Sequence, residues 1–99
     1  MHHHKRSAIR ALAVRASVNF ATRPAMAHDA LTLAARWAIQ RGDLEAGARL
    51  LAAAGSLFEY HCHAIGNAAR YHHPAKKADF DSHIRIALEE LADRPPVAA

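Results

Sequence analysis

The eighteen residues from Ala34 to Leu51, AARWAIQRGDLEAGARLL, carry more structural information than any other part of this chain. Gly42 reads as a helix terminator, because glycine takes the left-handed backbone after a last helical turn without a Cβ clash. Asp43 reads as the cap of a new helix, and Glu45 puts a negative charge in its first turn, where the helix dipole favours one. One helix therefore ends near Arg41 and another begins at Leu44, and so short a connection implies antiparallel neighbours. Upstream, residues 25–41 carry an apolar stripe of Met26, Ala30, Leu33, Ala34 and Trp37. A polar stripe of His28, Thr32, Arg36 and Gln40 recurs at steps of four. Pro24 suits the first turn of that helix. Downstream, residues 44–54 put Leu44, Gly47, Ala48 and Leu51 on one face, where small side chains let a neighbouring backbone approach.

The flanking segments extend the same pattern. Gly55 reads as a stop, and Ser56-Leu57-Phe58-Glu59 has the form of a capping box. The helix it opens would run to His72, before Pro74, with Phe58, His61, Ile65 and Ala68 inward and Glu59, His63, Asn67 and Arg70 outward. Residues 73–79 read as a polar linker. Asp79 or Asp81 caps a last helix reaching Asp93, with Phe80, Ile84, Ala87, Leu88 and Leu91 buried. Asp81–Arg85 and Arg85–Glu89 form i,i+4 charge pairs on it. Residues 6–20 satisfy two templates. Ile9, Leu12, Ala13, Ala16 and Phe20 make a helical face, whereas Val14, Ala16, Val18 and Phe20 alternate with Arg15, Ser17 and Asn19 as a strand does. The alanine content favours helix.

The expected fold is thus all-α: a small bundle of four or five short antiparallel helices, with 6–20 as helix or strand. Composition agrees. Of 99 residues, 25 are alanine and only 26 are larger apolar residues. Alanine forms helix well but buries little surface, so the core is short of bulky anchors, and such a chain gains by sharing core with a second copy. We expect a homodimer. Charge divides the chain into a basic arm (1–24), a helical domain (25–94) and a frayed tail (95–99). Residues 1–27 hold five basic residues and no acid, while residues 28–99 carry a net charge of −1. A segregated basic segment suits contact with nucleic acid or another anionic surface.

Several classes are disfavoured. Four dispersed glycines make no phosphate-cradling loop, and no serine sits in a nucleophile elbow. Cys62 lies between His61 and His63, but sequence neighbours on a helix point about 100° apart, so none is placed as its base. A lone cysteine makes no internal disulfide and fits a reducing, cytoplasmic compartment. The acid pairs Asp79/Asp81 and Glu89/Glu90 are explained by capping and a solvated last turn. Six histidines lie beyond His2–His4, which resemble a tag remnant. Only Glu59 and His63 have ligand spacing, so a metal site would need His28, His73 or His83 brought in by the fold. Charging several of these histidines near pH 6 would make a pH sensor. No stretch is apolar enough for a membrane span, and Arg10 and Arg15 interrupt any secretory signal; an Arg-bearing, acid-free start also has the composition of a transit peptide.

Leu31–Ala54 resembles one tetratricopeptide-type helical hairpin, with Ala35, Gly47 and Ala54 at its small-residue places. The resemblance covers a quarter of the chain, has no second copy, and implies helix-pair packing and at most a protein-binding groove. If 14–20 is a strand, its order before two helices is similar to that of ribbon-helix-helix repressors. That resemblance implies a dimer laying the strand in the DNA major groove with Arg15, Ser17 and Asn19 toward the bases. The functional expectation is a non-enzymatic helical interaction module without cofactor or metal, an adaptor, inhibitor or regulator. Trp37, Phe58, Tyr60 and Tyr71 are its candidate anchors for a protein partner. The alternative is a dimeric nucleic-acid-binding regulator using Arg6, Arg10, Arg15 and Arg23.

Overall fold

The computed structural model describes residues 3–65 and 74–92, which form four helices: α1 (Arg6–Asn19), α2 (Pro24–Gln40), α3 (Leu44–Ile65) and α4 (Pro74–Glu90). Each packs antiparallel on the next, and α1 also touches α4, so the four make an up-down-up-down bundle. No strand occurs among the described residues.

The turn from α2 to α3 forms as its residues dictate. Gly42 takes a φ of 84°, its N–H bonds the carbonyl of Ile39, and the Asp43 N–H bonds that of Ala38. These are the two crossed bonds of a Schellman ending, which satisfy carbonyls the helix leaves open. Asp43 stands at the start of α3, its carbonyl accepting the Gly47 N–H at 3.0 Å.

The open choice at 6–20 resolves to helix. Ile9, Ala13, Ala16 and Phe20 are buried, with Leu12 packed beside them. A strand would need a partner for its backbone N–H and C=O groups. The alternation that suggested one arises because Val14 and Val18 face outward on α1, Val18 at 75% exposure. The ribbon-helix-helix arrangement therefore does not form: Arg15 and Ser17 are exposed on a helix, and Asn19 Nδ2 donates to the Arg15 carbonyl. The basic segment is also built into the bundle, since α1 contributes Ile9, Ala13 and Ala16 to the shared core and Phe20, just past its end, joins them.

Two expected boundaries move. Gly55 and Ser56 do not separate two helices; α3 runs through both. Glycine in a helix interior costs about 1 kcal/mol, whereas burying one leucine gains about 1.5–3 kcal/mol. The stripe Ala46, Leu50, Ala53, Ala54 and Leu57 stays buried only if the helix continues. Of the four or five helices expected, four form for this reason. The expected linker 73–79 is replaced from Pro74 onward by the first turns of α4, where proline is tolerated because its missing N–H is not needed. α4 ends at Glu90, with Phe80, Ile84, Ala87 and Leu91 buried and Leu88 partly so, as the periodicity predicts. Arg85 pairs with Glu89, but Asp81 pairs back with Lys77, not forward with Arg85.

Among the described residues, eleven of the nineteen buried apolar ones are alanine. The bulk is concentrated where α1, α3 and α4 meet, around Phe20. Its ring lies 4.5 Å from Phe80 and 4.8 Å from Tyr60, and His61 Nε2 donates to its carbonyl at 2.8 Å.

Candidate functional site

α3 is apolar on two sides. Its inner stripe is the buried set ending in Leu57. Its outer stripe is Leu44, Ala48, Leu51, Gly55 and Phe58, alternating at steps of four and three, and every member is exposed. Leu44, Leu51 and Phe58 are 64%, 49% and 57% exposed, whereas Leu50 is wholly buried. Steps of four and three are the spacing of a helix seam that packs on another helix. A helix apolar all round is normally enclosed, and this one is enclosed on one side only. Leu44, Gly47, Ala48 and Leu51, read from the sequence as one face open to a neighbouring backbone, divide: Gly47 is buried against α2 and the other three are exposed. The sequence reading put Phe58 inward, and the structure puts Leu57 there and Phe58 outside.

The stripe continues onto α2. A Cβ at Gly47 would lie 2.6 Å from Ile39 Cγ1 and 3.5 Å from the Ala35 carbonyl, so the two helices are in close contact at this point. At the other end of the stripe Phe58 and Leu57 form a cleft of about 540 Å³ with Pro24, Ala25, His28 and Asp29. Ile39 is itself 45% exposed, extending the apolar surface beside the upper part of the stripe. A second depression, between α1 and α4, is bordered by Asp81, Arg85 and Glu89 and is the more polar in its rim.

The predicted anchors are scattered. Phe58 belongs to the outer face. Trp37 is half-buried and stacks on His4 with ring centroids 3.5 Å apart. Tyr60 is half-buried against Phe20. Tyr71 lies outside the described residues. Leu44, Leu51 and Ile39 were missed as surface groups; nothing local separates Leu51 from Leu50, and only the helix packing does.

The four arginines do not form one patch. Arg6 is committed to Asp43, with Nε and Nη2 donating to its two carboxylate oxygens at 3.2 and 3.0 Å. Arg41 Nε donates to the same carboxylate at 2.8 Å, and its Nη1 donates to the His4 carbonyl. The Arg6 guanidinium first, helped by Arg41, holds the Asp43 carboxyl below the usual aspartate range despite its partial burial. This polar knot ties the start of α1 to the α2–α3 turn. Arg10 is half-buried, and Arg15 and Arg23 are exposed.

Among the histidines, His28 lines the cleft, His61 is tied to Phe20, and His83 Nδ1 accepts from Arg49 Nη1 at 3.4 Å. Among the described residues no three His, Cys, Asp or Glu side chains come together as a metal centre needs. His72 and His73 lie outside the described residues, as do the side chains of Cys62 and His63. No described helix is long and apolar enough to cross a membrane.

The α2–α3 hairpin buries Ala35, Gly47 and Ala54. Comparison of the chain with protein-family models, curated proteins and solved structures found no match.

Proposed function

We propose that this protein is a small non-enzymatic interaction module that binds another protein through the outer face of α2 and α3, and that it self-associates. The observation that carries the reading is the exposed stripe Leu44, Ala48, Leu51, Gly55 and Phe58. Apolar anchors at i, i+4 and i+7 spacing are how a helix face is read by a partner helix. Large apolar anchors in such a surface carry most of the binding energy, and Phe58 with its adjoining cleft supplies the largest. The lone cysteine suits a reducing, cytoplasmic setting.

The nucleic-acid reading has less support, because Arg6 is spent on Asp43 and two of the four predicted arginines, Arg15 and Arg23, are exposed. Two measurements separate the readings. Amphipathic helical peptides selected by display against the protein should lose binding when Leu51→Glu or Phe58→Ala is introduced. Peptides indifferent to both substitutions would overturn the proposed face. Anisotropy of mixed-sequence DNA and RNA at ~50 and ~200 mM salt should show no binding that weakens by orders of magnitude between the two. Such weakening would replace this proposal with the nucleic-acid one.

A further inference from the structure

We infer that the occupant of this face is a second copy of the chain, packed with the two α3 helices antiparallel about a two-fold axis beside residue 53. The inference rests on the interaction-module reading and names the partner of the same surface.

The first support is shape. The outer stripe alternates large and small residues: Leu44, Ala48, Leu51, Gly55, Phe58. An antiparallel copy centred at residue 53 sets Leu51 over Gly55 of the second copy and Phe58 over Ala48 of the second copy. By symmetry each contact occurs twice. Leu51 and Phe58 then each meet a gap, which is how helices interlock. Nothing lies within 4 Å of a Cβ built on Gly55, so the gap is open in the monomer.

The second support is charge, and it comes from α2 instead of α3. Ile39 stands beside Gly47, and His28 stands beside Phe58, which fixes the antiparallel alignment of α2 on α3. Residue 33 of α2 is therefore level with residue 53 of α3. The same two-fold runs α2 antiparallel to its copy and brings Asp29 level with position 37 of the second copy. That is one residue, about 1.5 Å of rise, from Arg36. Asp29 and Arg36 are both exposed, and seven residues apart they share one side of α2. The register chosen by the apolar stripe thus pairs an acid with a base at two symmetric places, without having been chosen to do so.

The third support is the shortage of core. Among the described residues, seven large apolar side chains are exposed against eight in the core, and four of the seven (Ile39, Leu44, Leu51 and Phe58) fall on this face. The stripe is about 21 Å long, and two helices wide it covers on the order of 500 Å² per copy, below the ~800 Å² of a standard interface. The dimer is accordingly weak, with a Kd on the order of 100 µM.

Sedimentation equilibrium from about 10 µM to about 1 mM, a range set to bracket that Kd, tests this. The wild-type protein should pass reversibly from monomer to dimer. Gly55→Arg should remain monomeric throughout while keeping its helical circular dichroism and melting temperature at low concentration, because its side chain enters open space. Asp29→Arg should weaken the dimer about tenfold by setting like charges together at both sites. Asp29→Arg with Arg36→Asp should restore it to within about threefold, as a reciprocal pair does in a double-mutant cycle. A dimer indifferent to Gly55→Arg would overturn the interface. A swap no better than the single reversal would overturn the antiparallel register. A wild-type protein monomeric at every concentration would overturn the second copy as occupant, while the peptide selection above decides separately whether the face binds anything.

Discussion

Leu50 and Leu51 are adjacent in sequence and identical in chemistry, yet Leu50 is fully buried in the bundle and Leu51 is half exposed. They stand for the two faces of α3. The inner face is explained by the fold: Ala46, Leu50, Ala53 and Leu57 pack on α2 and α4. The outer face is not explained by the fold, since Leu44, Leu51 and Phe58 add nothing to the monomer's core. What the monomer leaves unexplained is where binding is to be sought.

The sharpest way to break this comparison is to truncate both leucines. Leu50→Ala should destabilise the protein by about 2–5 kcal/mol, combining lost burial with a cavity. Leu51→Ala should change the stability of dilute protein by no more than about 0.5 kcal/mol. Urea unfolding at low micromolar protein checks both. Equal losses would mean that the outer face is core after all.

The same pair marks how far the sequence could be read. The buried face of α4 was legible, because Phe80 stands between Asp79 and Asp81 and Ile84 between His83 and Arg85; that of α1 was half legible, because Val14 and Val18 let the same residues fit a strand. The ending at Gly42 was legible because one glycine in a left-handed position determines it. The faces of α3 were not, because alanines fill both sides and leave two stripes of equal claim. Gly55 misled because its local cost is smaller than the burial of Leu57 beyond it. The role of Arg6 was hidden for a different reason: its partner Asp43 is 37 residues away, and only the closed bundle brings them together.

At Gly42 the comparison is sharpened by testing whether the α2–α3 alignment depends on its turn. Gly42→Ala should cost about 1–2 kcal/mol, since an L-residue resists a φ of 84° even with open space around its Cβ. Thermal unfolding reads it. A neutral outcome would show that the turn relaxes and that the register of α2 on α3 is held by packing alone.

Asp43 tests the polar end of the bundle against its apolar face. Its carboxyl is held below the ordinary aspartate range, chiefly by Arg6. A depressed carboxylate stabilises the fold fully above its unfolded pKa and loses that contribution as pH falls through the lower folded value. The stability difference between wild type and Asp43→Asn, about 1 kcal/mol near neutral pH, should therefore shrink below pH ~4. Denaturant midpoints for both proteins between pH ~6 and ~2.5 measure it. A difference that stays constant to the lowest pH would mean that the ion pairs with Arg6 and Arg41 do not hold Asp43 ionised.

The smallest expected effect separates two glycines of one helix. Gly47 faces α2, and a methyl there would meet Ile39 Cγ1 at 2.6 Å, so Gly47→Ala gains helix propensity only if Ile39 moves. Gly55 faces open space, so Gly55→Ala should stabilise the monomer by about 0.5–1 kcal/mol. The two substitutions are chemically the same and differ only in which face of α3 receives the methyl. Melting temperatures at low concentration should rise for Gly55→Ala and fall or stay level for Gly47→Ala. A Gly55→Ala protein that is less stable when dilute would show that the outer face already packs against something within one chain, and the distinction between the two faces of α3 would fail.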